Sequence, residues 1–477
     1  KKWGLLKLHA LAGATFQSQQ QESFAIMGAG FASDALLNTI AAARTTMILQ
    51  DDVAEYKYNA FFGRLNFNLN ERYLLNLTGR RDGSSRFGPK NRFANFGAVG
   101  AAWIFSNESF LENTTNILSF GKIRSSFGIT GNDQIGDYQY LDTYTVTPNV
   151  YDGITGIQPS RLHNPYFGWE TNKKFEVAMD LGFLQDRFFV SAAWFRNRSG
   201  NQLVGMPLPG TTGFSSMQSN LDANVQNTGF EFVWNSNNIK KANWQWTTSA
   251  NVTFLENKLL SFPGLEGSTY ESSYVLGESL NVQQLYHYTG INPTTGLYTF
   301  EDYNSDGLYN SEDRKFYGDT SPKYYGGVSN EITYKNWSFE FLLQFVKQEA
   351  LSVLSRYATA GTFNNQPISV LNHFPQDTEN SAVQQYTTGQ NYNSNVAYSR
   401  WQRSDAALVD ASFIRLKNVS LAYSLPTTWS NTFQGKLYLQ SQNLLTFTPY
   451  KDGDPENKSA QYLPPLQQFS IGAQLTF

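Results

Sequence analysis

Between Glu301 and Arg314 the chain reads EDYNSDGLYNSEDR, a stretch dense in oxygen donors at regular spacing. Counted from Asp302, positions 1, 3 and 5 are Asp302, Asn304 and Asp306; position 6 is Gly307, position 7 Leu308, position 9 Asn310 and position 12 Asp313. A calcium ion takes six to eight oxygens, and a twelve-residue loop supplies them from positions 1, 3, 5, 7, 9 and 12, with glycine at 6 for the sharp turn. The spacing predicts one Ca2+ held by the side chains of Asp302, Asn304, Asp306 and Asp313 and by the Leu308 carbonyl, with Asn310 acting directly or through water. Position 12 carries Asp where the EF-hand pattern has Glu. The expected role is to stiffen a long loop; the alternative is an Asn/Asp/Gly-rich turn that holds no metal.

A second concentration of charge is GRRDGSSRFGPKNR, in which Arg80, Arg81, Arg86, Lys90 and Arg92 surround Asp82. Guanidinium forks suit carboxylates and phosphates, so lipid head groups or a bound ligand are one reading. A salt-bridged rim is the reading adopted here, and Lys122 and Arg124, alternating onto one face of their strand, are read the same way. Catalysis has little to stand on. The four histidines, His9, His163, His287 and His373, form no HExxH pair and sit in no nucleophile motif. Cysteine is absent, which removes disulfides, thiol nucleophiles and cysteine metal sites. Tyr138, Tyr140, Tyr144, Tyr166, Phe214, Tyr270 and Tyr274 fall in connecting segments, where they suit stacking on a carbohydrate or peptide, or on one another.

The elements that must position these residues follow from composition and period. Of 477 residues, 15% are aromatic and only 16% charged, and the formal net charge is −3, which offers no basic field for nucleic acid. Mean hydropathy is −0.42, and no run approaches the roughly 18 apolar residues of a membrane helix. Polar on average yet rich in Phe, Tyr and Trp, the chain fits strands with one face to lipid and one to water. Alternation supports this. In WSFEFLLQF, Phe339, Phe341, Leu343 and Phe345 share one face and Ser338, Glu340 and Gln344 the other; in FSIGAQLTF, Phe469, Ile471, Ala473, Leu475 and Phe477 oppose Ser470, Gly472, Gln474 and Thr476. About fourteen such strands are expected, with cores at 3–17, 54–69, 71–81, 92–105, 117–130, 170–183, 186–198, 226–236, 243–256, 322–334, 337–349, 408–424, 434–446 and 467–477. Short connections, such as those at Asn68, Leu184, Tyr334 and Pro426, alternate with long ones at 18–53, 131–169, 199–225, 257–321, 350–407 and 447–466. That parity is the outer-membrane pattern of short periplasmic turns and long extracellular loops, and it puts the calcium-type segment in an extracellular loop spanning 257–321.

Several stretches carry a resemblance: YNAFFGRLNFNLNERYLLNLTGRRDGSSRFGPKNRFANFGAVGAAWIFSNESFL from Tyr58, KIRSSFGITGNDQIGDYQY from Lys122, WETNKKFEVAMDLGFLQDRFFVSAAWFRN from Trp169, NTGFEFVWN from Asn227, SPKYYGGVSNEITYKNWSFEFLLQF from Ser321, ASFIRLKNVSLAYSLP from Ala411 and LYLQSQNLLTFTPYKDGDPE from Leu437. Together they resemble the SusC/RagA family, TonB-dependent outer-membrane transporters of Bacteroidetes. The resemblance implies an all-β, transmembrane antiparallel β-barrel, of which residues 1–477 are the C-terminal portion: about fourteen strands of a 22-stranded barrel. It further implies about eight more strands and a plug, a TonB complex engaged through the missing N-terminal part, a SusD-like surface lipoprotein, and an oligosaccharide or peptide substrate. The expected function is import across the outer membrane without covalent chemistry. The alternatives are a SusC-like scaffold in a surface or secretion assembly and, third, an outer-membrane hydrolase.

Overall fold

The computed structural model describes residues 2–114, 116–374, 381–426, 434–459 and 461–476. Among them are fourteen long strands: β1 (Leu6–Ala29), β2 (Thr45–Leu69), β3 (Tyr73–Ser84), β4 (Phe93–Trp103), β5 (Leu118–Asn132), β6 (Glu170–Phe183), β7 (Phe188–Gly200), β8 (Asn224–Lys241), β9 (Trp244–Ser261), β10 (Tyr324–Tyr334), β11 (Trp337–Lys347), β12 (Phe413–Ser424), β13 (Gln434–Phe447) and β14 (Gln468–Thr476). In the sheet order each strand follows its neighbour in the chain, and the two-residue strand Lys2–Trp3 precedes β1. Phe477 and most of the connection expected from Pro426 lie outside the described residues.

All fourteen expected strands are present, but the end of the first and the start of the second are substantially misplaced, and 408–410, expected to open the strand running to 424, pairs instead with Glu349–Leu351. The stretch 18–53 was expected to be loop, yet β1 and β2 pair from Leu6↔Leu69 to Ala29↔Thr45, broken only by an irregularity at Ala25/Ile26. Gln17–Glu22 are exposed on both faces, so no apolar alternation marks them although the ladder continues. The short turns use left-handed residues: Asn70 and Glu71 (φ 53° and 56°), Leu184, Gln185 and Asp186 (54–59°), and Lys335 (51°).

The chain divides into two compact units. The first comprises 1–102, 125–175 and 197–224. Its core gathers Phe87, Phe96, Phe167 and Trp169, with the Trp169 ring 4.9 Å from Phe87 and 5.5 Å from Phe96. Gly88 lies so close to the backbone that an added Cβ would stand 2.4 Å from the Pro165 carbonyl oxygen, so no larger residue fits. Two hairpins, Thr143–Tyr151 with Ile154–Arg161 and Gln202–Pro207 with Ser216–Leu221, form within the long connections.

The second unit comprises 103–124, 176–196 and 225–477. Register across β9–β12 sorts the side chains as the alternation requires. Thr247, Glu331, Glu340 and Ser420 stand side by side, and the next row is Trp246, Ile332, Phe339 and Leu421. Phe341 and Leu343 therefore share the apolar face and Glu340 takes the other. The apolar face carries a polar pair, Thr248 and Asn330, facing each other; the Asn330 oxygen accepts from Trp246 Nε1 at 2.9 Å and Thr248 Oγ1 at 2.6 Å. Such internal pairing is what keeps a polar group tolerable in an apolar surrounding.

The described residues of the connections 262–323 and 348–412, expected as long connections at 257–321 and 350–407, form further short elements. Val282–Leu285 pairs with Phe316–Asp319, Tyr288–Ile291 with Tyr298–Phe300, and Glu349–Leu351 with Leu408–Asp410. Helix α1 (Tyr392–Trp401) starts at Asn391, whose side chain accepts from Ser394 N, and buries Ser394, Ala397, Tyr398 and Trp401. That spacing of 3, 4 and 7 is one helical face. It packs on Tyr286, Tyr298 and Phe300, and burial pushes the phenols of Tyr298 and Tyr398 up.

Candidate functional site

The calcium-type loop is a tightly bonded turn. Asp302 Oδ2 accepts from Gly307 N at 2.9 Å, Asn304 Oδ1 from Asp306 N at 3.2 Å, and Asp306 Oδ1 from Leu308 N at 2.7 Å. Asp313, fully buried, accepts from Tyr303 N at 3.0 Å and Asn310 N at 2.9 Å. Gly307 has φ 77° with open space where a Cβ would stand, so glycine is there for conformation. All six expected residues lie in this one turn, and the structure adds Glu312, which accepts from Asn304 Nδ2 at 2.9 Å. Asp302 Oδ1 is buried and meets no protein donor. Even so, among the described residues no group of three or more His, Cys, Asp or Glu side chains converges in a metal-holding arrangement. The turn is fastened to α1, since Arg400 donates to the Tyr309 carbonyl at 3.3 Å and lies 5.0 Å from the centre of its ring.

The arginine-rich strip does not gather around Asp82. Only Arg80 binds that carboxylate, through Nε at 2.8 Å. Arg81 reaches Asn95, Arg86 pairs with Asp137 at 2.9 Å, and Lys90 donates to the Tyr166 hydroxyl at 2.9 Å. Strand alternation and the turn at 85–92 send neighbouring side chains to different partners, which sequence proximity hides. Only Arg80 and Arg86 form ion pairs in the strip, and the buried Nε of Arg92 meets no acceptor among the described residues, so the expected salt-bridged rim is present only in part. Arg124 likewise pairs with Glu176 and Asp180. Most loop aromatics are structural: Tyr138 accepts from Glu55 N at 2.7 Å, Tyr140 packs on the first unit's core, and Tyr270 and Tyr274 stack with Phe262. His287 contacts Asp405 at 2.6 Å, tying the two folded connections together.

A four-residue charged cluster, Arg415, Lys417, Asp454 and Glu456, escaped sequence reasoning. Arg415, 1% exposed, sits on β12 and is bound by Asp454 and Glu456 from the 448–467 connection. Its Nε donates to Thr446 Oγ1 at 2.9 Å. Lys417 donates to both oxygens of Glu456, at 3.0 and 2.9 Å. Lys417 falls at a register shift between β12 and both its neighbours, and such bulges re-aim a side chain. The signal was present in two segments, FIRLK and DGDPE. Nothing in their local pattern links them, because the contact spans some forty residues.

Long antiparallel strands with one apolar face, tight turns at one end and folded connections at the other define the wall of an outer-membrane receptor. Residues 3–281 match the model of the TonB-dependent receptor-like β-barrel family, and the chain belongs to that family, whose members are outer-membrane receptors rather than enzymes. It is 28% identical to TonB-dependent receptor P3 of Formosa agariphila, over 96% of this chain and 48% of that protein. It is 30% identical to TonB-dependent receptor SusC of Bacteroides thetaiotaomicron, over 88% of this chain and 43% of that one. A solved structure of the RagAB peptide importer in its "open-open" state superposes with a TM-score of 0.83 at 26% identity, over 99% of this chain and 53% of that chain. The SusC/RagA resemblance read from the sequence is therefore correct. The chain spans about half the length of the relatives it matches.

Proposed function

We propose that this chain forms the C-terminal wall and external loops of a TonB-dependent importer that takes up oligosaccharides or peptides with a SusD-like surface lipoprotein. The observation that carries the reading is the end-to-end likeness to a peptide importer and to SusC at once. Alternation of connection length supports putting the segments 262–323 and 348–412 on the extracellular side, where they would meet the lipoprotein and its cargo. Substrate would be held between these loops and the lipoprotein until a plug, moved from the periplasm by the TonB complex, opens the lumen. Cells carrying the intact protein should accumulate labelled oligosaccharide or peptide only with functional TonB. Equal uptake in a TonB-deficient strain would instead favour a passive pore, and absence of any uptake a scaffold.

The loop Asp302–Asp313 is proposed to bind one Ca2+ through Asp302, Asn304, Asp306, the Leu308 carbonyl, Asn310 and Asp313. Its support is the Asp302 Oδ1 atom without a protein donor, in the same turn as the fixed carboxylate oxygens Asp302 Oδ2 and Asp306 Oδ1. Affinity in the range of extracellular modules, about 10⁻⁴–10⁻³ M, is expected. Titration of the intact protein should show one site, lost in Asp306→Ala, while the barrel stays heat-modifiable. No uptake of calcium at millimolar concentration would leave the metal-free turn.

A further inference from the structure

In the first unit, one face of β2 and β3 is apolar over most of its height and ends in a cation. Tyr73, Leu75 and Leu77 of β3 stand on it beside Leu69, Phe67 and Leu65 of β2, and beyond Gly79 the same face reaches Arg81, opposite Phe61. The tight turn at Asn70 and Glu71 marks its lower end. From Tyr73 to Arg81 the strand rises roughly 27 Å, about 20 Å of membrane depth once tilted, against an apolar band about 25 Å tall. Arg81 thus stands where hydrocarbon gives way to head groups on the extracellular side. Its exposed side chain is held but not neutralised. Nη1 donates to Asn95 Oδ1 at 3.0 Å, and the guanidinium lies 5.3 Å from the centre of the Phe93 ring. That ring rests on Gly83, where an added Cβ would stand 2.4 Å from Phe93 Cε1 and push it away. The carboxylates nearby are engaged elsewhere: Asp82 turns to the other face and binds Arg80, and Glu55, higher on β2, binds Lys57.

We infer that Arg81, Phe93 and Asn95 form a site on the outer wall of the barrel for the phosphate of a glycolipid in the outer leaflet. A cation at the edge of hydrocarbon is poorly screened and gains most from an anion. A guanidinium has five N–H donors and no acceptor. One donor serves Asn95, so others remain for the two oxygens that a phosphate offers to an arginine fork. Stacking on Phe93 fixes the direction in which the fork points, which lowers the ordering cost of binding. Phe61 and Phe93, both exposed on this face, supply apolar surface for the acyl chains beneath the head group. A phospholipid carries phosphate too, but the height of Arg81 above the periplasmic turn selects the outer leaflet and its phosphorylated glycolipid. The inference takes only the extracellular assignment of the strand tops from the importer reading. It is independent of cargo and of TonB.

The test uses the intact transporter in mild detergent and native mass spectrometry with three added probes: phosphorylated lipid A, the same lipid A with its phosphates removed, and phosphatidylglycerol. Wild type should bind the phosphorylated lipid A about tenfold more tightly than either of the others. Arg81→Gln should abolish that preference, Arg81→Lys should keep part of it as a point charge, and Phe93→Leu should weaken it. Heat-modifiability should confirm that every variant folds. Equal binding of lipid A with and without phosphate by wild type overturns the site, whether or not any variant folds. A preference that survives Arg81→Gln overturns it as well, because the phosphate would then be held by other groups. Tighter binding of phosphatidylglycerol would assign the site to a phospholipid and overturn the choice of ligand. Binding is read here without any transport assay, so loss of the importer reading would leave the lipid result standing, and loss of the lipid site would leave TonB-dependent uptake untouched.

Discussion

Arg415 shows how one buried ion organises its surroundings. With Asp454 and Glu456 it joins β12 to the connection after β13, and among the described residues Arg415 is the ion-pair partner of Asp454, itself 5% exposed. Removing one partner of a buried pair leaves an uncompensated charge and costs about 3–5 kcal/mol, whereas replacing both by apolar groups of similar volume is often neutral. Arg415→Ala should therefore lower the unfolding midpoint markedly, and Arg415→Met with Asp454→Leu should recover most of it; urea denaturation followed by tryptophan fluorescence compares the two. A rim pair behaves differently. Hydrogen bonds from Lys347 and Ser412 hold the Asp410 carboxyl down at about 2. Because this value lies below that of the unfolded chain, near 3.8, the stabilisation is complete above pH 3.8 and disappears as pH falls through about 2. Asp410 closes the Glu349–Leu351/Leu408–Asp410 ladder at the base of the 348–412 connection. Pepsin should cut at that base only towards pH 2 in wild type, and already at pH 4 in Asp410→Asn. Equal cutting of both proteins at pH 4 would show that the pair does not hold the base.

Strands were legible because a sheet with lipid on one side and water on the other writes a period of two into the chain. KFEVAMDLGF announced β6 with its observed limits, 170–183. Ser18–Glu22 did not announce the extension of β1 beyond the expected 3–17, since a strand with water on both faces needs no alternation. The folded connections were illegible for the opposite reason: α1 is only 10 residues long, and its buried face is completed by Tyr286, Tyr298 and Phe300, about a hundred residues earlier. The six expected oxygen donors of the calcium-type turn could be found by spacing because they are local, while the Arg415 cluster exists only through long-range contact. Face assignment gives the prediction at this scale. Phe341 lies on the apolar face of β11 and Glu340 on the polar one. Phe341→Arg near the bilayer midplane should cost about 2–4 kcal/mol and sharply reduce heat-modifiable protein in the outer membrane, while Glu340→Gln should leave the amount unchanged. The reverse ranking would mean that the strand register is inverted.

For the whole molecule, the ends of the sheet order decide what this chain can be by itself. The order begins with Lys2–Trp3 and β1 and finishes with β14. Both terminal strands carry large apolar side chains well exposed: Phe16 and Phe24 on β1, Phe469 and Ile471 on β14, the last at 88%. Interior strands such as β11 are half-covered along most of their length. In hydrocarbon an unpaired backbone group costs several kcal/mol, so a strand without a neighbour cannot rest there. The relatives are about twice as long as this chain, enough for the further strands and plug that the SusC/RagA likeness implies. Residues 1–477 expressed with a signal peptide should therefore fail to give a heat-modifiable, protease-resistant band in outer-membrane fractions. Co-expression with the N-terminal half of a full-length homologue should restore it, in one complex recovered by a tag on either part. A monodisperse, ion-conducting barrel formed by the chain alone would defeat this prediction, because it would require β1 and β14 to satisfy each other, and the gated importer would give way to a self-sufficient pore.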